Sequence, residues 1–437
     1  MNNLLGVGAV AETAAVETSV SFDEWTGGRD LASIGTNSGS RLIAFQTWKH
    51  FKEAFAPELI REAIAASPVP VRGLLDPFGG SGTTALASQF LGVHPTTVEV
   101  NPFLADLIKS KLHPYDLGTL LREVGQLSNR LSGQPPRMKE RYRPATFVEP
   151  GVRGRYLFSE TVALAVDRIL DAIDECADDA SARLFKIALS GVLLDFCNAR
   201  VSGKGRRYRS NWQTRELPVP GIRDAFITHV QEMVGDVAKF ANRTCTTYDV
   251  ILGDSREVAL PGRSVDMVLF SPPYPNSFDY TDVYNIELWM LGYLGAWADN
   301  RDLRGQTLSS HVQVSRDFST APSGSPLLFE TVAAMEQARD ELWDRRLPDM
   351  VGGYFSDLWR VILNSTAPLT SGGQIWMVVG DSRYSTVTIR VADIIAELAQ
   401  SEGLKVVEKR PFRSMRASPQ QGGRAELAET LLILAKP

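Results

Sequence analysis

A chain of 437 residues is too long to be organised round one small core, so a large elaborated domain or a core with a substantial insert is expected. Its 44% hydrophobic and 22% charged residues are those of an ordinary soluble globular protein. The formal net charge of −5 excludes a molecule-wide basic field, so any nucleic-acid surface must be a local patch. Cys176, Cys197 and Cys245 lie far apart, with neither metal-ligand spacing nor a disulfide framework, which points to a reducing cytoplasm and no metal. No apolar run approaches the roughly 20 residues of a membrane span, and no basic residues precede the apolar N-terminal patch as in a signal peptide.

Residues 1–40, rich in Ala, Val, Thr, Ser and Gly without a sustained period, predict a flexible arm in which 20–25 is apolar enough to be anchored. From Arg41 the pattern changes. Phe45, Trp48, Phe51 and Phe55 lead into a helical apolar period through Leu59, Ile60 and Ile64. Residues 73–76 form an apolar strand that enters a glycine-rich turn at 78–82; a helix begins near Thr83, and a second strand at 96–100 carries Glu99. Gly79, Gly80 and Gly82 permit positive φ and close backbone approach, so the turn can wrap a nucleoside. Glu99 is then placed to accept hydrogen bonds from two ribose hydroxyls. The turn lacks the Lys-Ser/Thr of a P-loop.

After a helix at 102–112 the α/β rhythm stops. Helical patterns at 160–176, 182–197 and 222–240 make 113–245 an inserted helical region, a candidate for target recognition. Within it, residues 198–209 carry Arg200, Lys204, Arg206, Arg207 and Arg209 and no acid. Such a run is often a plain solvated face, but the glycines at 203 and 205 and the aromatics Tyr208 and Trp212 suit contact with phosphates and bases. The rhythm resumes with strands at 248–252, 265–270, 374–379, 405–408 and 430–434 and a helix at 387–399; residues 300–326 read as a long functional or mobile loop. Strands separated by helices predict a mostly parallel, doubly wound α/β sheet, built from 41–112 and 246–437.

The turn reads D-P-F-G-G-S-G-T-T with V-E-V-N-P downstream, and the strand at 265–270 ends on Ser271-Pro272-Pro273-Tyr274. In this order, with an insert between, these segments resemble the S-adenosylmethionine-dependent DNA amino-methyltransferases, which modify N4 of cytosine or N6 of adenine. The resemblance covers residues 41–112 and 246–436. It implies a Rossmann-like class I methyltransferase fold, with DNA as partner and S-adenosyl-L-methionine as cofactor. It also implies that Asp76, Phe78, Gly79, Gly80, Ser81, Gly82, Glu99, Asn101, Asp254 and Ser255 bind the cofactor. The acid of Gly253-Asp254-Ser255 would accept from the cofactor's adenine amino group, the aromatic segment before the turn would line its methionine end, and 413–434 would be the closing segment.

Chemistry on such sheets gathers at the carboxyl ends of the strands, where Ser271–Tyr274 falls. An exocyclic base amine is a weak nucleophile because its lone pair is delocalised into the ring. Two acceptors aimed at its hydrogens, the Ser271 hydroxyl and the Pro272 carbonyl, would favour a pyramidal nitrogen. Pro272 and Pro273 stiffen that carbonyl, and Tyr274 would stack on the base through its ring rather than its hydroxyl. In the family it resembles, the Ser-Pro-Pro-Tyr form, here in place of the more familiar Asp-Pro-Pro-Tyr, is associated more with cytosine N4 than adenine N6, so the resemblance implies cytosine N4 first. Methylation at cytosine C5 is disfavoured, since it needs a cysteine nucleophile in a Pro-Cys setting and none of the three has one.

Two other readings use the same residues: the same chemistry on structured RNA, and a catalytically silent nucleic-acid-binding subunit. Intact Gly80, Gly82, Glu99, Ser271 and Tyr274 speak for a working site. The resemblance admits a restriction or defence partner, of which the sequence carries no signature.

Overall fold

Apolar runs buried on both faces build the inner strands of the central sheet, and its two edge strands are partly exposed. Its strands are β1 (Gly73–Asp76), β2 (His94–Glu99), β3 (Asp249–Leu252), β4 (Val265–Phe270), β5 (Leu369–Gly380), β6 (Lys405–Arg416) and β7 (Glu426–Ala435). The computed structural model describes residues 20–29, 42–51, 55–133, 139–202, 205–218, 220–416 and 426–437. The strands lie in the order β3-β2-β1-β4-β5-β7-β6. Neighbours from β3 to β5 pair parallel, and β7 runs antiparallel to both β5 and β6. This is a doubly wound, Rossmann-like α/β sheet. The chain winds in one direction from β1 to β2 and β3 and in the other through β4 and β5, so the segments leaving β1 and β4 diverge and open a crevice at their carboxyl ends.

Side-chain alternation feeds two cores. Leu74, Met267 and Leu269 point to one face, Leu75, Val268 and Phe270 to the other. The first core also holds apolar residues of helices Thr83–Phe90 and Pro102–Leu112 and of the insert's Glu160–Asp174, Asp179–Leu193 and Ile222–Lys239. The inserted helices thus share a continuous core with the sheet. The second core is covered by Pro326–Gln337, Leu347–Thr366 and Val391–Ser401. At the amino end of the strands the Asp266 carboxylate accepts from the N–H of Arg72 (2.8 Å) and Gly73 (3.1 Å) and from the Thr370 hydroxyl (3.4 Å), tying the starts of β1, β4 and β5 together.

Several elements differ from the sequence expectation. Within the expected flexible arm, the stretch 20–25 read as apolar enough to be anchored enters a helix, Phe22–Thr26, not foreseen from the sequence, whose Trp25 stacks on Phe90 at 4.6 Å. Val387–Ile389, expected to open a helix, instead pairs antiparallel with Ser382–Tyr384; β-branched Val387, Thr388 and Ile389 suit a strand, and the helix begins at Val391, whose N–H is received by Asp381 Oδ1. The long loop starts as a helix, Trp297–Gly305. The closing strands are longer than expected, and Pro411 is accommodated because it sits beside a register shift on the sheet's edge strand.

Candidate active site

β1 and β2 pair in parallel register, Asp76 against Thr97, so their carboxyl ends present Asp76 and Glu99 beside the same turn. Gly80 and Gly82 have φ of +52° and +79°, conformations that disfavour a side chain, and Gly82 is the residue from which helix Thr83–Phe90 departs. Glu99 holds the turn: its Oε2 accepts the Gly80 N–H at 2.7 Å and its Oε1 the Asn101 N–H at 2.8 Å. Asn101 in turn caps helix Pro102–Leu112 by accepting from Phe103 N–H. Asp76 Oδ1 accepts from Phe78 N–H, Gly79 N–H donates to Val98 O, and the Ser81 carbonyl accepts from Lys111 Nζ at 2.7 Å. Lys111 is a residue sequence reasoning missed. It is fully buried, and burial pushes its ammonium down to about 7. Burial also pushes Glu99 up to about 7 and Asp76 up to about 6.

Asp254 and Ser255 follow β3 at the same edge. Ser255 Oγ donates to Pro77 O, while Asp254 is engaged by Arg256, whose Nη1 also reaches Asp357 at 3.0 Å. Of the aromatic segment before the turn, Phe51 and Phe55 line the crevice, whereas Phe45 and Trp48 are core residues held by Asp236, which accepts from Phe45 N–H and Trp48 Nε1–H.

β4 delivers Ser271 to the opposite branch of the crevice. Ser271 Oγ donates to Val378 O on β5 at 2.9 Å, and Tyr274 Oη lies 3.2 Å from Ser271 Oγ. The Tyr274 hydroxyl donates to Glu429 Oε1 at 2.6 Å. Glu429, on β7, is buried and paired across the strands with Arg413 of β6, whose Nη2 donates to Oε1 at 3.1 Å. Burial, and next the Glu429 carboxylate, hold the phenol well above its usual range, so it stays protonated. Asp76, Phe78, Gly79, Gly80, Ser81, Glu99, Asn101, Asp254, Ser255 and Ser271–Tyr274 all line one cleft of about 310 Å³; Gly82 stands behind it as the start of the helix.

No family model matches the chain. It is 24% identical over 466 residues to the Type II methyltransferase M.BsoBI of Geobacillus stearothermophilus, covering 94% of this chain and 88% of that one. It is 23% identical over 455 residues to the Type II methyltransferase M.AvaI of Nostoc sp., covering 94% and 92%. This chain is related to the Type II methyltransferases. That relationship bears out the resemblance drawn from the motifs, and with it the expectation of an enzyme that transfers methyl groups. Among solved structures, the glycopeptide N-methyltransferase MtfA complexed with (S)-adenosyl-L-methionine aligns over 89% of this chain and 90% of that one, at 10% identity and a TM-score of 0.29, too loose a likeness to carry an argument.

In this chain the basic run of the insert is a hairpin, Ala199–Ser202 paired with Gly205–Tyr208. Its cations divide by face. Arg206 Nη2 bonds Asp282 Oδ1 at 2.9 Å, and Arg209 donates to Leu194 O and Cys197 O at the end of helix Asp179–Leu193. Arg200 and Arg207 are directly opposite one another and exposed. Lys204 lies outside the described residues. Of the other members of the cleft, sequence reasoning had Arg413 and Glu429 only as part of the closing segment 413–434 and did not single out His311. The polar composition of 300–326 flagged the last only as part of a functional loop.

Proposed function

We propose that the protein methylates an exocyclic amine of a base turned out of DNA, cytosine N4 ahead of adenine N6, using S-adenosyl-L-methionine. The observation that carries this reading is that the acid-bearing turn and Ser271–Tyr274 face one cleft. The residues fit the cofactor. Two buried carboxylates with raised pKa, Asp76 and Glu99, want donors such as ribose hydroxyls, and Phe51, Phe78 and Tyr284 offer aromatic walls for a purine and a cationic sulfur. Bound there, S-adenosyl-L-methionine supplies an electrophilic methyl group.

The chain's own residues prepare the amine. Tyr274 commits its proton to Glu429 and Ser271 its own to Val378 O, which leaves Ser271 Oγ lone pairs to accept from one amine hydrogen. Pro272 O accepts the other, with no N–H from Pro272 or Pro273 to compete. The ring of Tyr274 stacks on the base. On the insert, Arg200 and Arg207 set two like charges side by side on an exposed hairpin face, an arrangement unfavourable by itself and relieved by a phosphate.

The test is transfer of labelled methyl from S-adenosyl-L-methionine to DNA and, separately, to RNA, followed by nucleoside analysis. N4-methylcytosine in DNA is the expected product. N6-methyladenine would revise the base; label in RNA alone, or in neither amine, would refute the reading.

A further inference from the structure

The cleft has one more wall. Residues 306–308, 310 and 311 line it together with Ser271–Tyr274, and the segment is pinned rather than loose. Ser309 N–H donates to Asp357 Oδ2 (2.9 Å), Ser277 N–H to Ser310 O (3.0 Å), Val312 N–H to Ser277 Oγ (3.4 Å) and Arg316 Nη1 to Thr307 O (2.8 Å). Ser277, three residues beyond the tetrapeptide, donates one of these bonds and accepts another, so the wall is registered to the tetrapeptide itself.

His311 stands in this wall. It is 1% exposed, and neither ring nitrogen makes a hydrogen bond of ordinary geometry among the described residues, the Gln313 side chain standing in a looser one. Asp279 Oδ1 is 3.8 Å from Nε2, beyond bonding distance, and the Asp279 carboxylate is paired with Arg304 at 2.8 Å. Burial, only partly opposed by the Asp279 carboxylate and the Gln313 side chain, pushes the imidazole down to about 4, so near neutral pH it is uncharged and holds one donor and one acceptor. Buried polar atoms left this way are costly unless a ligand completes them.

The amine chemistry shows what is missing. Ser271 Oγ and Pro272 O supply acceptors only, whereas the ring position next to the amine, N3 of cytosine or N1 of adenine, is itself an acceptor and needs a donor. Charged donors close by are committed, Arg413 to Glu429 and Arg304 to Asp279. A cationic donor would in any case draw electron density out of the amine, while a neutral one fixes the edge with less penalty. We propose that His311 reads the edge of the base in the cleft, donating a ring N–H to the ring nitrogen beside the target amine. This rests on the function proposed above.

The test uses the full chain and DNA that the wild type methylates, with His311→Ala, His311→Phe and His311→Gln compared by kcat/KM, and cofactor affinity measured by calorimetry. Phenylalanine fills the space without a donor; glutamine restores an N–H. The expected result is a loss of about tenfold or more in Ala and Phe, recovery of most of it in Gln, and cofactor affinity within about twofold throughout. Full activity of His311→Phe, a Gln variant as poor as Ala, or a parallel loss of cofactor binding would each overturn the assignment of His311 while leaving DNA methylation standing. A wild type that methylates no DNA would overturn both.

Discussion

The two ends of the cleft, the one proposed for the cofactor and the one proposed for the amine, are built in opposite ways. At the cofactor end, the turn is closed by bonds between near neighbours: Glu99 to Gly80, 19 residues apart, and to Asn101, two apart. At the amine end, Tyr274 meets Glu429 across 155 residues and Ser271 meets Val378 O across 107. The charges differ as well. Glu99 sits buried without a cation of its own among the described residues and is raised to about 7, whereas Glu429 is neutralised by Arg413. The cofactor end is therefore a local device that holds acceptors in reserve, and the amine end a long-range device whose protons are already assigned.

Substitutions should separate these devices. The largest effect is expected from Ser271→Ala, which removes an acceptor that matters as the amine pyramidalises: kcat should fall by about 10²–10³ while affinities for DNA and cofactor barely change. Full turnover in that variant would remove the amine end from the chemistry. Glu99→Ala should strip two charge-assisted bonds from the cofactor end and weaken S-adenosyl-L-methionine binding by about a hundredfold; unchanged calorimetric affinity would contradict it. Tyr274→Phe keeps the stacking ring but leaves Glu429 short of a donor, so a loss of about tenfold in kcat/KM is expected. Activity equal to wild type would show that the ring alone suffices.

Smaller effects follow on the hairpin and in pH. Arg207→Glu should lower the salt slope of DNA binding by about 1 and, by replacing a like-charge pair with Arg200 by an opposite-charge one, raise the melting temperature slightly. Arg206→Glu instead sets an acid beside Asp282 and should lower the melting temperature. The finest test concerns Glu99, whose folded pKa lies above its ordinary value of 4.5. A raised pKa contributes stability that is complete below the unfolded value and is lost as pH climbs through about 7. The melting temperature of Glu99→Gln relative to wild type should therefore rise between about pH 5 and 8; a difference independent of pH would place the carboxylate in a solvated setting.

The same contrast governs what the sequence makes legible. Glu99, Gly80 and Asn101 could be placed from a single stretch because their partners lie within that stretch. Ser271–Tyr274 was recognisable as a motif. Its setting was not, since nothing near Glu429 in the chain announces that the fold will bring it to Tyr274. His311 is one polar residue in a polar loop, and only the packing that buries it makes it conspicuous. Residues 387–389 fail for a different reason: a short apolar stretch fits helix or strand alike, and pairing with Ser382–Tyr384 decides it. In the hairpin, counting cations could not tell that Arg206 and Arg209 are spent inside the protein while Arg200 and Arg207 face out.

Asp266 has a bearing on how such a protein can change. It clamps three strand starts, whereas Ser271 follows the other end of the same strand, β4, whose six residues span about 20 Å. Sites that far apart with no shared partner respond to substitution almost independently. Strengthening the clamp end can thus offset losses incurred when residues around the base are exchanged, so that a library aimed at new target preference is best started from a variant already stabilised at Asp266 and its neighbours.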